Sequence, residues 1–281
     1  RRFIAGNTLE EAMVQVEKLV NMDLYVTLDY LGENTTCQEE ATRAKNTYIE
    51  VLRHIAQTPY APYSHKEKIN LSIKLTQCGL DISDGFAEQN YREVVQVAQE
   101  LDNFVRVDME SSEYTERTLR IVERVFRDYP NTGTVLQSYL HRTLADTEFM
   151  IHLGARVRLV KGAYLEPHTV AYTQKSKVDE MYLKEAKMLL KHGNYPAIAT
   201  QDEKIIRELL DFVRREKIPK ENFEFQMLYG IRRDLQHNLR AEDYYVRVYV
   251  PYGEMWYPYF TRRLAERPAN MIFLVKSLFK G

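Results

Sequence analysis

The chain is expected to fold as an α/β barrel of the (β/α)8, TIM type, and three observations predict it. Eight short β-branched or apolar runs alternate with amphipathic helical stretches over about 250 residues. No Gly-x-Gly occurs anywhere, which removes the phosphate turn of a doubly wound open sheet and that of a P-loop. The apolar runs also end on polar residues, as barrel strands do when their carboxyl ends floor a site.

Thr8-x-x-Glu11 reads as a capping box opening a helix to about Val20, ahead of the barrel proper. The first strand, 24–28 (LYVTL), delivers Asp29, and a charge-rich helix follows over 38–57. The second, 69–73 (INLSI), delivers Lys74 before a helix at 88–101. The third, 104–107 (FVRV), ends at Asp108, with a helix over 113–128. The fourth, 133–136 (GTVL), ends at Gln137, with a helix over 139–152. The fifth, 156–160 (RVRLV), carries Arg158 and leads to Lys161, with a helix over 177–191. The sixth, 196–199 (PAIA), ends at Thr200 and Gln201 before a helix at 202–216. The seventh, 223–227 (FEFQM), carries Gln226, and the eighth, 245–250 (YVRVYV), carries Tyr249; helices at 231–241 and 254–266 follow them. An apolar segment at 270–279 ends the chain, which is expected to be one barrel domain over residues 1–281.

Composition narrows the function. With 44% hydrophobic and 28% charged residues the chain can bury a full core, and a net charge of -1 gives no field for nucleic acid. Cys37 and Cys78 stand far apart with no Cys-x-x-Cys spacing. They are expected to be free thiols in a reducing, cytoplasmic setting, without a structural zinc. No stretch reaches the roughly 20 apolar residues of a membrane span. The 270–279 segment is expected to pack on the barrel or a neighbouring subunit, with peripheral contact at the inner face of the membrane as the alternative.

Tyr259, Arg262, Arg263 and Glu266 lie on neighbouring faces of the 254–266 helix. Read alone, they make a solvated face with an i,i+3 ion pair. Placed after an eighth barrel strand, two forked guanidinium groups beside an aromatic ring make a grip for a small carboxylate or phosphate. The residues by themselves leave three readings open: an oxidoreductase, a Schiff-base aldolase using Lys74 or Lys161, and a non-catalytic barrel binding an anion through Arg262 and Arg263.

Six segments occur in order on the expected strands: Ser72-Ile-Lys74-Leu, Arg106-Val-Asp108-Met109-Glu110, Val135-Leu-Gln137-Ser-Tyr139, Arg158-Leu-Val-Lys161-Gly162-Ala163-Tyr164, Phe223-Glu-Phe-Gln226-Met-Leu228-Tyr-Gly230, and Tyr249-Val-Pro-Tyr-Gly253 with Tyr259-x-x-Arg262-Arg263-x-x-Glu266. Together they resemble the proline dehydrogenase family in its single-function bacterial form, from about residue 22 to the end. The resemblance implies a distorted barrel holding FAD at its carboxyl face, with the last barrel helix over the site. It implies oxidation of L-proline to Δ1-pyrroline-5-carboxylate and transfer of electrons to a membrane quinone.

By resemblance, Arg262 and Arg263 clamp the proline carboxylate, Lys74 adds a third positive charge, and Glu266 supports Arg263. Tyr249, Tyr259 and Leu228 wall the ring, with Tyr164 a further candidate. Arg158 matches the arginine near flavin N5, and Asp108 matches an active-site aspartate expected to partner Lys74 or Arg158. Met109, Gln137, Lys161, Gly162, Ala163, Thr200, Gln201 and Gln226 match cofactor positions. One departure stands out: Gln201 occupies a position where many members have His, so any contact that needs an imidazole is in doubt.

Overall fold

The computed structural model describes residues 3–32, 34–60, 67–257 and 261. Eight parallel strands close into a barrel in sequence order: β1 (Tyr25–Tyr30), β2 (Ile69–Ile73), β3 (Val105–Val107), β4 (Thr132–Gln137), β5 (Arg156–Val160), β6 (Ala197–Ala199), β7 (Glu224–Leu228) and β8 (Val246–Tyr252). The ring closes where Tyr25 through Tyr30 pair with Arg247 through Tyr252. A helix leads in, α1 (Leu9–Asn21), and seven connect the strands: α2 (Gln38–Ala56), α3 (Asp84–Glu100), α4 (Ser112–Asp128), α5 (Thr143–Leu153), α6 (Lys175–His192), α7 (Glu203–Glu216) and α8 (Arg233–Ala241). The expected fold class is therefore observed.

Local chemistry sets the element ends. Thr8 caps α1 by accepting from the Glu11 amide, and Glu11 reaches back to the Asn7 amide, nearly the reciprocal box expected. Helix α1 packs against β1 and β8, so the strands at the seam are covered from outside by a segment that precedes the barrel. Two expected helix starts shift. Helix α3 begins at Asp84 rather than 88 because Ser83 caps it, accepting from the Phe86 amide. Helix α5 begins at Thr143 rather than 139. Tyr139 instead donates its amide to the Lys161 carbonyl, and Leu140 bridges to Ala171, so that stretch belongs to the barrel mouth. The helix expected at 254–266 and the segment at 270–279 lie outside the described residues, Thr261 apart.

Strand alternation divides the core in two. Outward-facing Val26, Leu28, Leu71, Ile73, Val105, Val107, Leu159, Phe225 and Val248 are buried against the helices in one apolar layer. The inward-facing set is polar: Thr27, Asp29, Asn70, Ser72, Lys74, Arg106, Arg158, Glu224, Gln226 and Arg247 are all buried too. A barrel filled this way is held by matched charges and hydrogen bonds rather than by layered aliphatic side chains.

Among the buried acids outside that set, which include Glu110 and Asp146, one stands apart. Glu185 of α6 is fully buried, and neither carboxylate oxygen has a hydrogen-bond partner among the described residues. Burial pushes its pKa up to about 7, with the nearby Ser138 hydroxyl and Lys184 opposing and Asp146 assisting. The folded state thus holds a proton between pH 4.5 and about 7 that the unfolded chain releases, so stability is complete at low pH and falls as pH rises through the folded pKa. Glu185→Gln is expected to remove that loss, worth up to roughly 3 kcal/mol. Thermal unfolding should show the variant's advantage over the parent growing between pH 5 and pH 8. An equal margin at both values would mean that the carboxyl is not held neutral.

Candidate active site

Five inward side chains meet at the carboxyl ends of β1, β2, β3, β5 and β8. Lys74 Nζ lies 2.6 Å from Asp29 Oδ1, Arg158 Nη1 donates to Asp108 Oδ1 at 2.5 Å, and Tyr249 donates its hydroxyl to Asp108 Oδ2 at 2.7 Å. The Arg158 guanidinium also stands 5.2 Å from the centre of the Tyr249 ring, within cation–π range. Two cations and two carboxylates are thereby paired, and Tyr249 joins the Arg158–Asp108 pair. Burial raises the Asp29 pKa; Lys74 opposes the rise and Asp108 adds to it.

Arg158 is fixed on three sides. Besides Asp108, its Nε donates to Gln226 Oε1 at 2.5 Å and its Nη2 to Ser72 Oγ at 3.0 Å. A guanidinium with its donors in a rigid fork loses little by such pinning and keeps one orientation.

Around this floor runs a rim built from loops. Gln137 donates its amide to the Glu110 carbonyl, and Glu110 in turn receives the Thr76 hydroxyl at 2.6 Å. Lys161 lies 2.6 Å from Asp179 of α6 and 3.1 Å from Asp202, the residue that caps α7. Thr200 accepts the Asp202 amide. Gln201 accepts the Leu228 amide at 3.2 Å and so ties the end of β6 to the end of β7. Gly162 sits at φ +115, and an added Cβ would stand 2.2 Å from Tyr139 Cδ1. No side chain fits there without displacing the Tyr139 ring.

Sequence comparison decides the family. A family model described as Proline dehydrogenase matches residues 12–276. This chain belongs to the proline dehydrogenase family. Proline dehydrogenase 1 of Bacillus subtilis subsp. natto is 41% identical over 280 residues, spanning 100% of this chain and 90% of its own length. Proline dehydrogenase of Deinococcus radiodurans is 40% identical over 285 residues, with the same coverage of 100% and 90%. Among solved structures, proline utilization A (PutA) of Bdellovibrio bacteriovorus, inactivated by N-propargylglycine, superposes with a TM-score of 0.85 at 28% identity. The match covers 94% of this chain but only 32% of that longer one.

Against the proline dehydrogenase motifs, the structure brings Lys74, Asp108, Arg158 and Tyr249 to one floor and Gln137, Lys161, Gly162, Thr200 and Gln201 to its rim. It resolves the partnership left open for Asp108, which pairs with Arg158, while Lys74 pairs with Asp29. Met109 is buried beside Asp108, and Leu228, Ala163 and Tyr164 stay partly exposed at the mouth. Gln226 lies beneath Arg158 with both ends of its amide engaged by protein. Tyr259, Arg262, Arg263 and Glu266 fall outside the described residues.

Two functional partners were missed. Asp29 was visible as a strand end but carried no role, and Glu224 lay inside a quoted motif as an unassigned letter. The available signal was inward parity: Asp29 shares it with Thr27, the register partner of Tyr249, and Glu224 shares it with Gln226. Gly162→Ala is expected to displace Tyr139 and destabilise the fold by about 1–3 kcal/mol, read as a lower urea midpoint; an unchanged midpoint would show that the mouth can relax around a methyl group.

Proposed function

We propose that the chain oxidises L-proline to Δ1-pyrroline-5-carboxylate with FAD as the hydride acceptor and passes the electrons to a membrane quinone, a first step of proline catabolism. The observation that carries this reading is the pinned Arg158–Asp108–Tyr249 cluster at the barrel mouth of a proline dehydrogenase family member. FAD, when bound, supplies a two-electron acceptor that no side chain of this protein can supply.

The residues fit such a cofactor. Gly162 brings backbone to the rim at φ +115, with the Tyr139 ring standing where a side chain would be, and Lys161, Thr200 and Gln137 add a cation, a hydroxyl and an amide to the same rim. Arg158 supplies a fixed cation where charge accumulates on hydride transfer, and because its position is already paid for in folding, no reorganisation is needed at the moment of reaction. Met109 and Ala163 offer apolar surface for a planar ring.

For the substrate, Arg262 and Arg263 take the proline carboxylate, supported by Glu266, while Tyr249, Tyr259 and Leu228 bound the five-membered ring. Lys74 joins this clamp with its charge shared with Asp29, so it orients the carboxylate while the arginine pair supplies most of the grip. Among the described residues no helix is long and apolar enough to cross a membrane; the exchange with quinone is proposed as a peripheral encounter.

Purified protein is expected to be yellow and to bleach anaerobically on adding L-proline. A colourless preparation that FAD cannot reconstitute would overturn the reading, and borohydride trapping of a lysine adduct would favour an aldolase instead. Arg262→Met or Arg263→Met is expected to raise the proline KM by on the order of 30-fold or more, the equivalent of ~2 kcal/mol for one partner of a desolvated charge pair, with FAD retained. Arg158→Met should instead slow flavin reduction by roughly a hundredfold. Parental KM values in both clamp variants, or parental reduction kinetics in the third, would remove those assignments.

A further inference from the structure

We infer that Glu224, a buried acid at the start of β7 and out of reach of the barrel mouth, is a positioning residue for Arg158, acting through the side-chain amide of Gln226. The inference deepens the reading of Arg158 as the cofactor-facing cation and rests on it.

The geometry is a continuous column down the barrel. Arg158 Nε donates to Gln226 Oε1 at 2.5 Å, and Gln226 Nε2 donates to Glu224 Oε1 at 2.5 Å. Glu224 is held from below: Arg247 Nε lies 2.8 Å from Oε1 and 3.1 Å from Oε2, and Tyr195 donates its hydroxyl to Oε2 at 3.1 Å. Arg247 is itself anchored, donating to the carbonyls of Val26 and Glu67 at 2.9 Å each. Every member of the column is buried.

The polarity of this column is forced. A guanidinium Nε can only donate, and an ionised carboxylate can only accept. An amide standing between them has one workable orientation, with its oxygen toward Arg158 and its nitrogen toward Glu224. The reverse orientation would oppose donor to donor above and acceptor to acceptor below. Glu224 is held ionised: burial alone would raise its pKa, but Arg247 and the hydrogen bonds from Arg247 and Gln226 bring it below the usual carboxylate value. The negative charge at the base of the barrel therefore fixes which atom Gln226 shows to Arg158, and so the direction of the Nε–H bond and the plane of the guanidinium.

Asp108 and Ser72 hold the two outer nitrogens of Arg158, and the Gln226 oxygen holds Nε. Nε is the anchor on the barrel side. Losing its acceptor frees the plane to rotate, and misplacement of a catalytic group by about 1 Å costs on the order of a hundredfold in rate.

The test is Glu224→Gln in the full flavin-loaded chain. Glutamine keeps the shape but no longer dictates the orientation of Gln226. Three readouts are taken: the 15N–1H correlation of Arg158 Nε, assigned by its loss in Arg158→Lys; the flavin midpoint potential; and anaerobic reduction by L-proline resolved into a rate and a Kd. The expected result is a shifted, faster-exchanging Arg158 signal, a more negative potential and reduction slowed roughly tenfold or more, with the proline Kd within about twofold of the parent. An unmoved Arg158 signal overturns the relay whatever happens to activity. A moved signal with parental potential and reduction rate supports the relay and overturns instead the placement of Arg158 at the cofactor. Should Glu224→Gln fail to fold because Arg247 is left buried without a counter-charge, Glu224→Gln/Arg247→Met removes both charges of the pair together and is read in the same way.

Discussion

The structure depends on neutralising charge that has been taken out of water. Inside the barrel stand Lys74, Arg106, Arg158 and Arg247, facing Asp29, Asp108 and Glu224. An isolated charge in such a place costs several kcal/mol even after relaxation, so each position constrains its neighbours. Lys74 requires Asp29, Arg158 requires Asp108, and Arg247 requires Glu224. Four cations against three carboxylates leave one positive charge in excess. Arg106 bears the consequence: it finds backbone carbonyls at Thr134 and Arg156 and the face of Phe104 rather than an acid. Burial, and then the neighbouring Arg158, lower its pKa to about 9. Under the proposed function this excess is useful, because both the substrate carboxylate and an electron-rich reduced cofactor are stabilised by positive potential in a low-dielectric floor.

A floor of paired charges is only as fixed as the loops around it. Carboxylates tie the mouth across strands rather than along them. Glu110 after β3 receives both the amide and the hydroxyl of Thr76 after β2, and Glu166 after β5 receives the amide and hydroxyl of Ser112 at the start of α4. The second contact places an acid at a helix N-terminus, where the dipole adds to the hydrogen bonds. Lys161 ties loops as a cation instead, joining Asp179 of α6 to Asp202, the cap of α7, through two ion pairs. The mouth is therefore a ring of cross-loop ties laid over a column of ion pairs, which is how loops can hold a site to the tolerance that catalysis needs.

What was legible in the sequence follows from what is local. Strand positions came out within two residues because β-branched runs and their polar ends are properties of short windows, as with INLSI leading to Lys74 or RVRLV leading to Lys161. Pairings across the barrel were not legible, because they are set by register. Ser72 faces Arg106 in the β2–β3 ladder, and Val135 faces Arg158 in the β4–β5 ladder. Nothing in either segment alone says that Arg158 will reach Ser72, Asp108 and Gln226 at once. The same holds for Lys74, whose partner lies 45 positions away at Asp29. The late start of α5 was missed for a related reason: Tyr139 and Leu140 have helical periodicity, but the Lys161 carbonyl and Ala171 compete successfully for their backbone.

Gln201 shows how a departure from the family pattern can be read physically. Its side-chain oxygen accepts the Leu228 amide, linking the ends of two adjacent strands beside the substrate wall. A histidine could make that link only through an unprotonated ring nitrogen, and would lose it on protonation. Glutamine accepts at any pH, so the β6–β7 edge of this mouth keeps its geometry where an imidazole would titrate. The substitution gives up a charge that could face a cofactor and gains a tie indifferent to pH. In a barrel interior that already carries one positive charge in excess, the positional gain is the term that survives.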